Sequence, residues 1–221
     1  MLTSAYRVLN AAGQLQFFRE QALSGEKPIE ERRRVLKQAL LGNGFKDNLI
    51  AVMKSLRQDR MALVMESTKE ITPSEVIGLL NTLESLKKQL TEYWLSMGLD
   101  AVISPAGCLP AVPHKFSSEL PTLNSHYLIY NILDFPAGVL PVRLVQQDDI
   151  KDAVDTGTHR ESRIPKDRMT EFFRLAQMDS EGLPVGVQVA ALPNRDELCL
   201  HVMETIEQSI GFNEMSLAFL Y

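Results

Sequence analysis

The chain has 221 residues, of which 45% are hydrophobic, a formal net charge of −5 and a pI near 5.5. That length and apolar content suffice for one domain, or a large part of one, with a real core. The acidic balance excludes a basic nucleic-acid module, and no apolar run reaches the ~18–20 residues that a membrane helix needs.

The first half reads as helical. Residues 5–23 carry Val8, Leu9, Leu15, Phe17, Phe18 and Leu23 between polar residues, and Ser24-Gly25-Glu26-Lys27-Pro28 breaks that run. Residues 29–41 form a charged helix. Its Arg32, Arg33 and Arg34 sit beside acidic Glu30 and Glu31, which makes a solvated face rather than an anion patch. Residues 46–66 continue with Leu49, Ile50, Val52, Met53, Leu56, Met61, Leu63 and Val64 as one helix, apolar on more than one side. The clearest helix opens at Thr72-Pro73-Ser74-Glu75. Thr72 and Glu75 make a capping box and Pro73 suits the first helical position. Val76, Leu79, Leu80, Leu83, Leu86, Leu90, Tyr93, Trp94 and Met97 follow at steps of three or four, and Gly98 supplies the stop.

From Leu99 onward, short apolar runs alternate with helices. Ala101-Val102-Ile103 is a strand stopped by Pro105. Residues 121–133 are helical, and Gly138–Val145 is a strand that Pro141 places at an edge or a bend. A helix spans Pro165–Met178, a strand Pro184–Leu192, and a last helix Asn194–Ile210, with Asn194 as its cap and Gly211 as its stop. Residues 216–221 offer one more strand. The fold class that follows is α/β: a helical segment over 1–98, then an α/β segment over 99–221 that holds part of a mixed sheet covered by helices.

The motif search excludes more than it finds. There is no G-x-S-x-G elbow, P-loop, G-x-G-x-x-G or HExxH. His114, His126, His159 and His201 are scattered, so no metal site is expected, and no cofactor motif is present. Cys108 and Cys199 form no CxxC. Cys199 falls on an apolar helix face and reads as core, and reduced thiols are expected for both. Lys115-Phe116-Ser117-Ser118 brings a lysine and two serines together. Without flanking glycines it reads as loop rather than as a catalytic relay.

Three ordered segments then carry a resemblance. They are Leu99-Asp100-Ala101-Val102-Ile103-Ser104-Pro105, Tyr130–Val142 with its Asp134-Phe135-Pro136-Ala137-Gly138 centre, and Gly182–Pro193 followed by Asn194-Arg195-Asp196-Glu197-Leu198-Cys199-Leu200. Together they resemble the C-terminal part of an amidase-signature hydrolase, in its fatty-acid amide hydrolase branch. The likeness covers residues 73–210; residues 1–70 match only as helices. The resemblance implies cleavage of carboxylic, in this branch fatty-acid, amides without a cofactor. A lysine of lowered pKa acts through a bridging serine on a nucleophilic serine, and a Gly-rich loop supplies backbone N–H groups to the oxyanion.

No Gly-Gly-Ser-Ser or similar segment occurs in these 221 residues, so no catalytic residue is assigned here and the chain alone is expected to be inactive. The family pattern places Asn124 and Leu128 along the acyl channel, and Asn194 at the start of the later helix. Asn194 replaces a large aromatic of the mammalian enzymes, and Asn124 an aliphatic. Both departures weigh against a long-chain preference. The expected partners are a small-molecule amide substrate, with a lipid amide, a homodimer and a peripheral membrane contact left open, and no nucleic acid. The expected location is cytoplasmic or peripheral to an intracellular membrane. The competing reading is a non-catalytic remnant of the amidase fold that binds an acyl ligand or a partner.

Overall fold

The computed structural model describes residues 41–114, 116–120, 122–123, 125–154 and 167–212, with a few isolated positions before 41. The helices expected over 5–23 and 29–41 and the strand over 216–221 lie outside the described residues. Among the described residues the elements run α1 (Asn43–Ser55), α2 (Asp59–Ser67), α3 (Pro73–Ser96), β1 (Ala101–Pro105), α4 (Phe116–Glu119), α5 (Ser125–Leu133), β2 (Ala137–Leu144), α6 (Gln147–Val154), α7 (Arg168–Gln177), β3 (Pro184–Ala191) and α8 (Asp196–Ile210). They divide into two compact units. One contains 41–85, 114–120 and 167–172, and the other 86–113, 122–154 and 173–212.

In the first unit, the helix expected over 46–66 is two helices. Arg57 takes a left-handed conformation at φ 56°. Its N–H donates to the Lys54 carbonyl and the Gln58 N–H to the Met53 carbonyl, at 3.0 and 2.8 Å, which closes α1 in a Schellman motif. Ile50, Ala62 and Met65 then pack as a small core, with Leu49 and Met53 against it. The two helices are also clasped by polar bonds. The Asn43 amide both donates to and accepts from the Glu70 backbone at 3.0 Å. Fully buried Lys46 donates from Nζ to the Thr68 carbonyl at 2.7 Å, at the C-terminal end of α2. A cation is well placed there against the helix dipole. Burial nevertheless pulls the Lys46 ammonium below its ordinary pKa, with Glu70 opposing that shift and Lys69 adding to it.

The capping box of α3 is present: the Thr72 N–H donates to Glu75 at 2.7 Å, and the Glu75 N–H to Thr72 Oγ1 at 3.3 Å. At its other end Gly98, at φ 63°, closes the helix, and Trp94 is buried. Helix α7 begins at Arg168 rather than at Pro165, because Asp167 caps it. The Thr170 N–H donates to Asp167 Oδ1 at 2.9 Å, and Arg60 grips the same carboxylate with two N–H groups, one of them at 2.7 Å. Burial pushes the Asp167 carboxyl up, but the hydrogen bonds from Arg60 and Thr170 outweigh it and hold the group below its ordinary value.

The sheet lies in the second unit. Its order is β1-β3-β2, and every pairing among the described residues is antiparallel. β3 is central, and its Val189, Ala190 and Ala191 are fully buried. Residues alternate between faces, so Val187, Val189, Ala191, Leu140 and Ala101 share one face. α8 covers it with Cys199, Val202, Met203 and Ile206. Among the described residues β2 is an edge strand, and its register shifts between Pro141 and Arg143, in line with the edge-or-bend reading of Pro141. Gly138 leaves the space that the Met203 thioether fills. Phe135 meets Trp94 and Tyr130 at ring-centroid distances of 5.8 and 6.4 Å, an aromatic cluster built on the Asp134-Phe135-Pro136 turn.

Candidate functional site

One end of the sheet brings together parts of the three segments singled out from the sequence, at Ala101, Ala137 and Ala191. β1 and β2 start there and β3 ends there, because Ala101 pairs with Ala191 and Ala137 with Ala190. The Ala191 N–H donates to the Pro136 carbonyl at 3.0 Å and extends the ladder one step further. Three chain reversals surround this rim, each on a left-handed residue: Gly98 at φ 63°, Asp134 at φ 57° and Asn194 at φ 63°. Asn and Asp tolerate that region better than other side chains do. At Asp134 the reversal closes α5, with the Phe135 N–H donating to the Tyr130 carbonyl at 2.9 Å. The Asp134 side chain projects into solvent, with Lys87 Nζ at 3.6 Å.

Asn194 is exposed on this rim. It is not the helix cap. α8 starts at Asp196 with Arg195 in the capping position, and no side-chain cap bond is made. The left-handed backbone explains the asparagine instead, and Asp196 and Glu197 favour the helix start through its dipole. Leu128 is half-buried on α5, five residues before the Leu133 that ends the helix at the rim. Asn124 lies outside the described residues.

The remaining nucleophile candidates sit in settings that do not activate them. Both cysteines are free. Cys199 is buried and donates from Sγ to the Val189 carbonyl at 3.4 Å. Burial pushes its thiol up, against a smaller opposing effect of the Gly138 backbone, so a thiolate is disfavoured. Cys108 Sγ lies 3.8 Å from Ser125 Oγ and 4.0 Å from the Thr122 carbonyl, neither of which is a base. The Phe116-Ser117-Ser118-Glu119 stretch is a one-turn helix rather than a loop, with Ser117 exposed on it. Lys115 lies outside the described residues. His114, His126 and His201 are exposed, and no cluster among the described residues could hold a metal. No helix among the described residues is long and apolar enough to cross a membrane.

Sequence reading missed one polar constellation. Arg143 on β2 forms a two-pronged ion pair with Asp149 on α6, at 2.7 and 2.8 Å. The Arg143 hydrogen bonds, then that from the Gln146 N–H, hold the Asp149 carboxyl down to about 2. The signal was local: Asp148 and Asp149 directly after Gln146-Gln147 mark a helix start.

Comparison with known proteins agrees with this architecture. The family model described as Amidase matches residues 30–200. "Fatty acid amide hydrolase 1" of Caenorhabditis elegans is 31% identical over 157 residues, which cover 71% of this chain and 26% of that protein. "Fatty-acid amide hydrolase 1" of Sus scrofa is 30% identical over 160 residues, covering 72% and 27%. A solved "Fatty acid amide hydrolase" superposes with a TM-score of 0.53 at 23% identity, over 70% of this chain and 26% of that one; at that identity the likeness speaks for the fold. The chain spans about a quarter of the length of the relatives it matches. With the match to the family model running through all three strands and most of the helices around them, the chain belongs to the amidase family.

Proposed function

We propose that these residues form the C-terminal, substrate-side segment of an amide hydrolase whose lysine, bridging serine and nucleophilic serine lie outside them. The observation that carries this reading is the amidase match over residues 30–200 in a sequence without a Gly- and Ser-rich loop. In such an enzyme the lysine draws a proton through the bridging serine from the nucleophile. The nucleophile attacks the amide carbonyl, the tetrahedral intermediate breaks its C–N bond and expels the amine with the proton the lysine took up, and water hydrolyses the acyl-enzyme to the free acid and the restored serine. This segment contributes the wall along which the acyl chain lies, with Asn124, Leu128 and Asn194 as lining residues, and fixes it on the rim of the sheet. The substrate class is a carboxylic amide, as the names of the relatives suggest. The polar side chains Asn124 and Asn194 favour shorter acyl groups over long ones. Taken alone, the chain is inactive.

A chimera tests the reading. Residues 43–210 replace the matching quarter of the worm relative, and hydrolysis of a long-chain and a short-chain primary amide is compared. The expected result is an active enzyme whose kcat/KM ratio moves toward the short chain, with Asn194→Phe moving it back. A folded chimera with the parent's chain-length ratio, unaltered by Asn194→Phe, would remove these residues from the channel.

A further inference from the structure

The first turn of α1 holds the only Asn-Gly step in the chain, Asn43-Gly44. That pair is reactive for a steric reason. The backbone nitrogen that follows an asparagine can attack the side-chain Cγ, and only glycine leaves the approach free of a Cβ. Every other asparagine of the chain is followed by a residue that has one. Here both residues are exposed, and a Cβ on Gly44 would meet nothing within 4 Å. The helix does not hold the attacking nitrogen either. The Phe45 and Lys46 N–H groups donate to the Gly42 carbonyl at 3.1 Å, whereas the Gly44 N–H has no partner among the described residues. Gly42 caps α1 without a side-chain bond, so nothing at the cap stops the first turn from fraying.

What restrains Asn43 is its own side chain. Nδ2 donates to the Glu70 carbonyl and Oδ1 accepts from the Glu70 N–H, each at 3.0 Å and each exposed. A carboxylate in its place keeps the acceptor and loses the donor. The same turn carries two more ties to the segment after α2: Lys46 Nζ donates to the Thr68 carbonyl at 2.7 Å, and Asp47 pairs with Lys69. Exposed neutral hydrogen bonds open readily, so the Asn43–Glu70 clasp slows the attack without preventing it.

We propose that Asn43 is a site of spontaneous deamidation that loosens α1 from the end of α2. When the clasp opens, a solvent base takes the Gly44 N–H proton and the nitrogen bonds to Asn43 Cγ. The Cγ–Nδ2 bond then breaks, and Nδ2 leaves as ammonia with a proton from solvent. Water hydrolyses the cyclic imide that remains. Breaking the new N–Cγ bond gives aspartate. Breaking the bond from the Gly44 nitrogen to the Asn43 carbonyl carbon gives isoaspartate, whose main chain runs through the former side chain. Aspartate still accepts from the Glu70 N–H, and its charge suits a helix start. Isoaspartate adds one carbon to the main chain at the first helical residue and takes its carboxylate out of register with Glu70, so it is the product that unclasps the helices. None of this depends on the hydrolase reading.

Ageing the 221-residue chain at mildly alkaline pH tests the proposal, read by peptide mass spectrometry that separates aspartate from isoaspartate and by hydrogen exchange at the Glu70 amide. Isoaspartate should build up at position 43, about ten-fold more slowly in buffer than in urea, the protection that two exposed hydrogen bonds give. Gly44→Ala, whose Cβ meets nothing, should keep the fold and slow the reaction at least roughly ten-fold. In the isoaspartate form the Glu70 N–H should exchange about ten-fold faster than in the fresh chain, and Asn43→Asp should exchange close to the fresh value. An Asn43 that survives ageing, equal rates in buffer and urea, deamidation undiminished by Gly44→Ala, or a Glu70 N–H unaltered in the isoaspartate form would each overturn the proposal. Exchange in Asn43→Asp as fast as in the isoaspartate form would equally overturn it.

Discussion

Arg57 closes α1 from the left-handed region, where an L side chain with a Cβ is costly. Arg57→Gly should therefore raise stability by about 1 kcal/mol, the cost of a left-handed non-glycine residue less the added freedom of the unfolded chain; urea denaturation reads this directly. The sequence announced the helix stops at Gly98 and Gly211 through their glycines. It hid the one at Arg57, whose side chain gives no sign of a positive φ, and marked the one at Asp134 only weakly, because an aspartate serves as readily in a cap or a turn. Two glycines of the sheet differ in the same way. A Cβ at Gly186 would stand 2.9 Å from the Leu140 carbonyl oxygen, part of the backbone, whereas a Cβ at Gly138 would meet the flexible end of Met203. Gly186→Ala should cost about 1–3 kcal/mol and Gly138→Ala clearly less, as thermal melts of the two variants would show. Lys46 gives a pH signature. Its folded pKa lies below the ordinary lysine value, so the unfolded chain holds that proton to higher pH than the folded chain does. Stability gains from this residue as pH rises through the folded pKa toward the ordinary value, and the penalty is fully present below that window. Denaturant titrations across alkaline pH should show that upward slope, and Lys46→Met should flatten it.

At the scale of elements, periodicity worked where one face alone is buried. α3 with its capping box, and the apolar stripe of α8 up to Gly211, were legible in this way, although α8 starts at Asp196 and not at Asn194; β3, buried on both faces, showed instead as a short apolar run bounded by prolines. Boundaries failed where a side chain from elsewhere sets them. α7 starts at Arg168 because Asp167 accepts from Thr170 and from Arg60, 107 residues earlier in sequence, and no local pattern encodes that pairing. Asp167→Ala should remove the cap and leave Arg60 without its carboxylate, costing about 2–3 kcal/mol in chemical denaturation. The pair also has a pH sense. The folded pKa of Asp167 is depressed, so its contribution is present above the unfolded carboxylate pKa and is lost as pH falls through the folded one. The sheet was legible in its strands but not in their order. That β3 is central follows from its small, apolar Val189-Ala190-Ala191 run, buried on both faces, and that every described pairing is antiparallel only the ladder shows.

For the molecule as a whole, the ordered segments at 99–105, 130–142 and 182–200 converge because the sheet brings two strand starts and one strand end to a single rim. Their sequence likeness to amidases thus corresponds to one place in the fold. The candidate residues are less evenly accounted for. Asn194 stands on that rim, but its own backbone conformation already favours asparagine, so residue type alone could not separate a lining role from a turn role. The Arg143–Asp149 ion pair escaped sequence reading because its partners sit on a strand and on the helix after it, and only their fold brings them into contact. The central claim is that the chemistry of this amidase segment is supplied from outside its 221 residues. A serine-directed fluorophosphonate, applied to the purified 221-residue chain and followed by intact-mass and peptide mass spectrometry, tests it most directly. The account predicts no adduct and no amide hydrolysis by a chain that melts cooperatively. A stoichiometric adduct on a serine of this chain, Ser117 or Ser118 above all, accompanied by amide turnover, would contradict it.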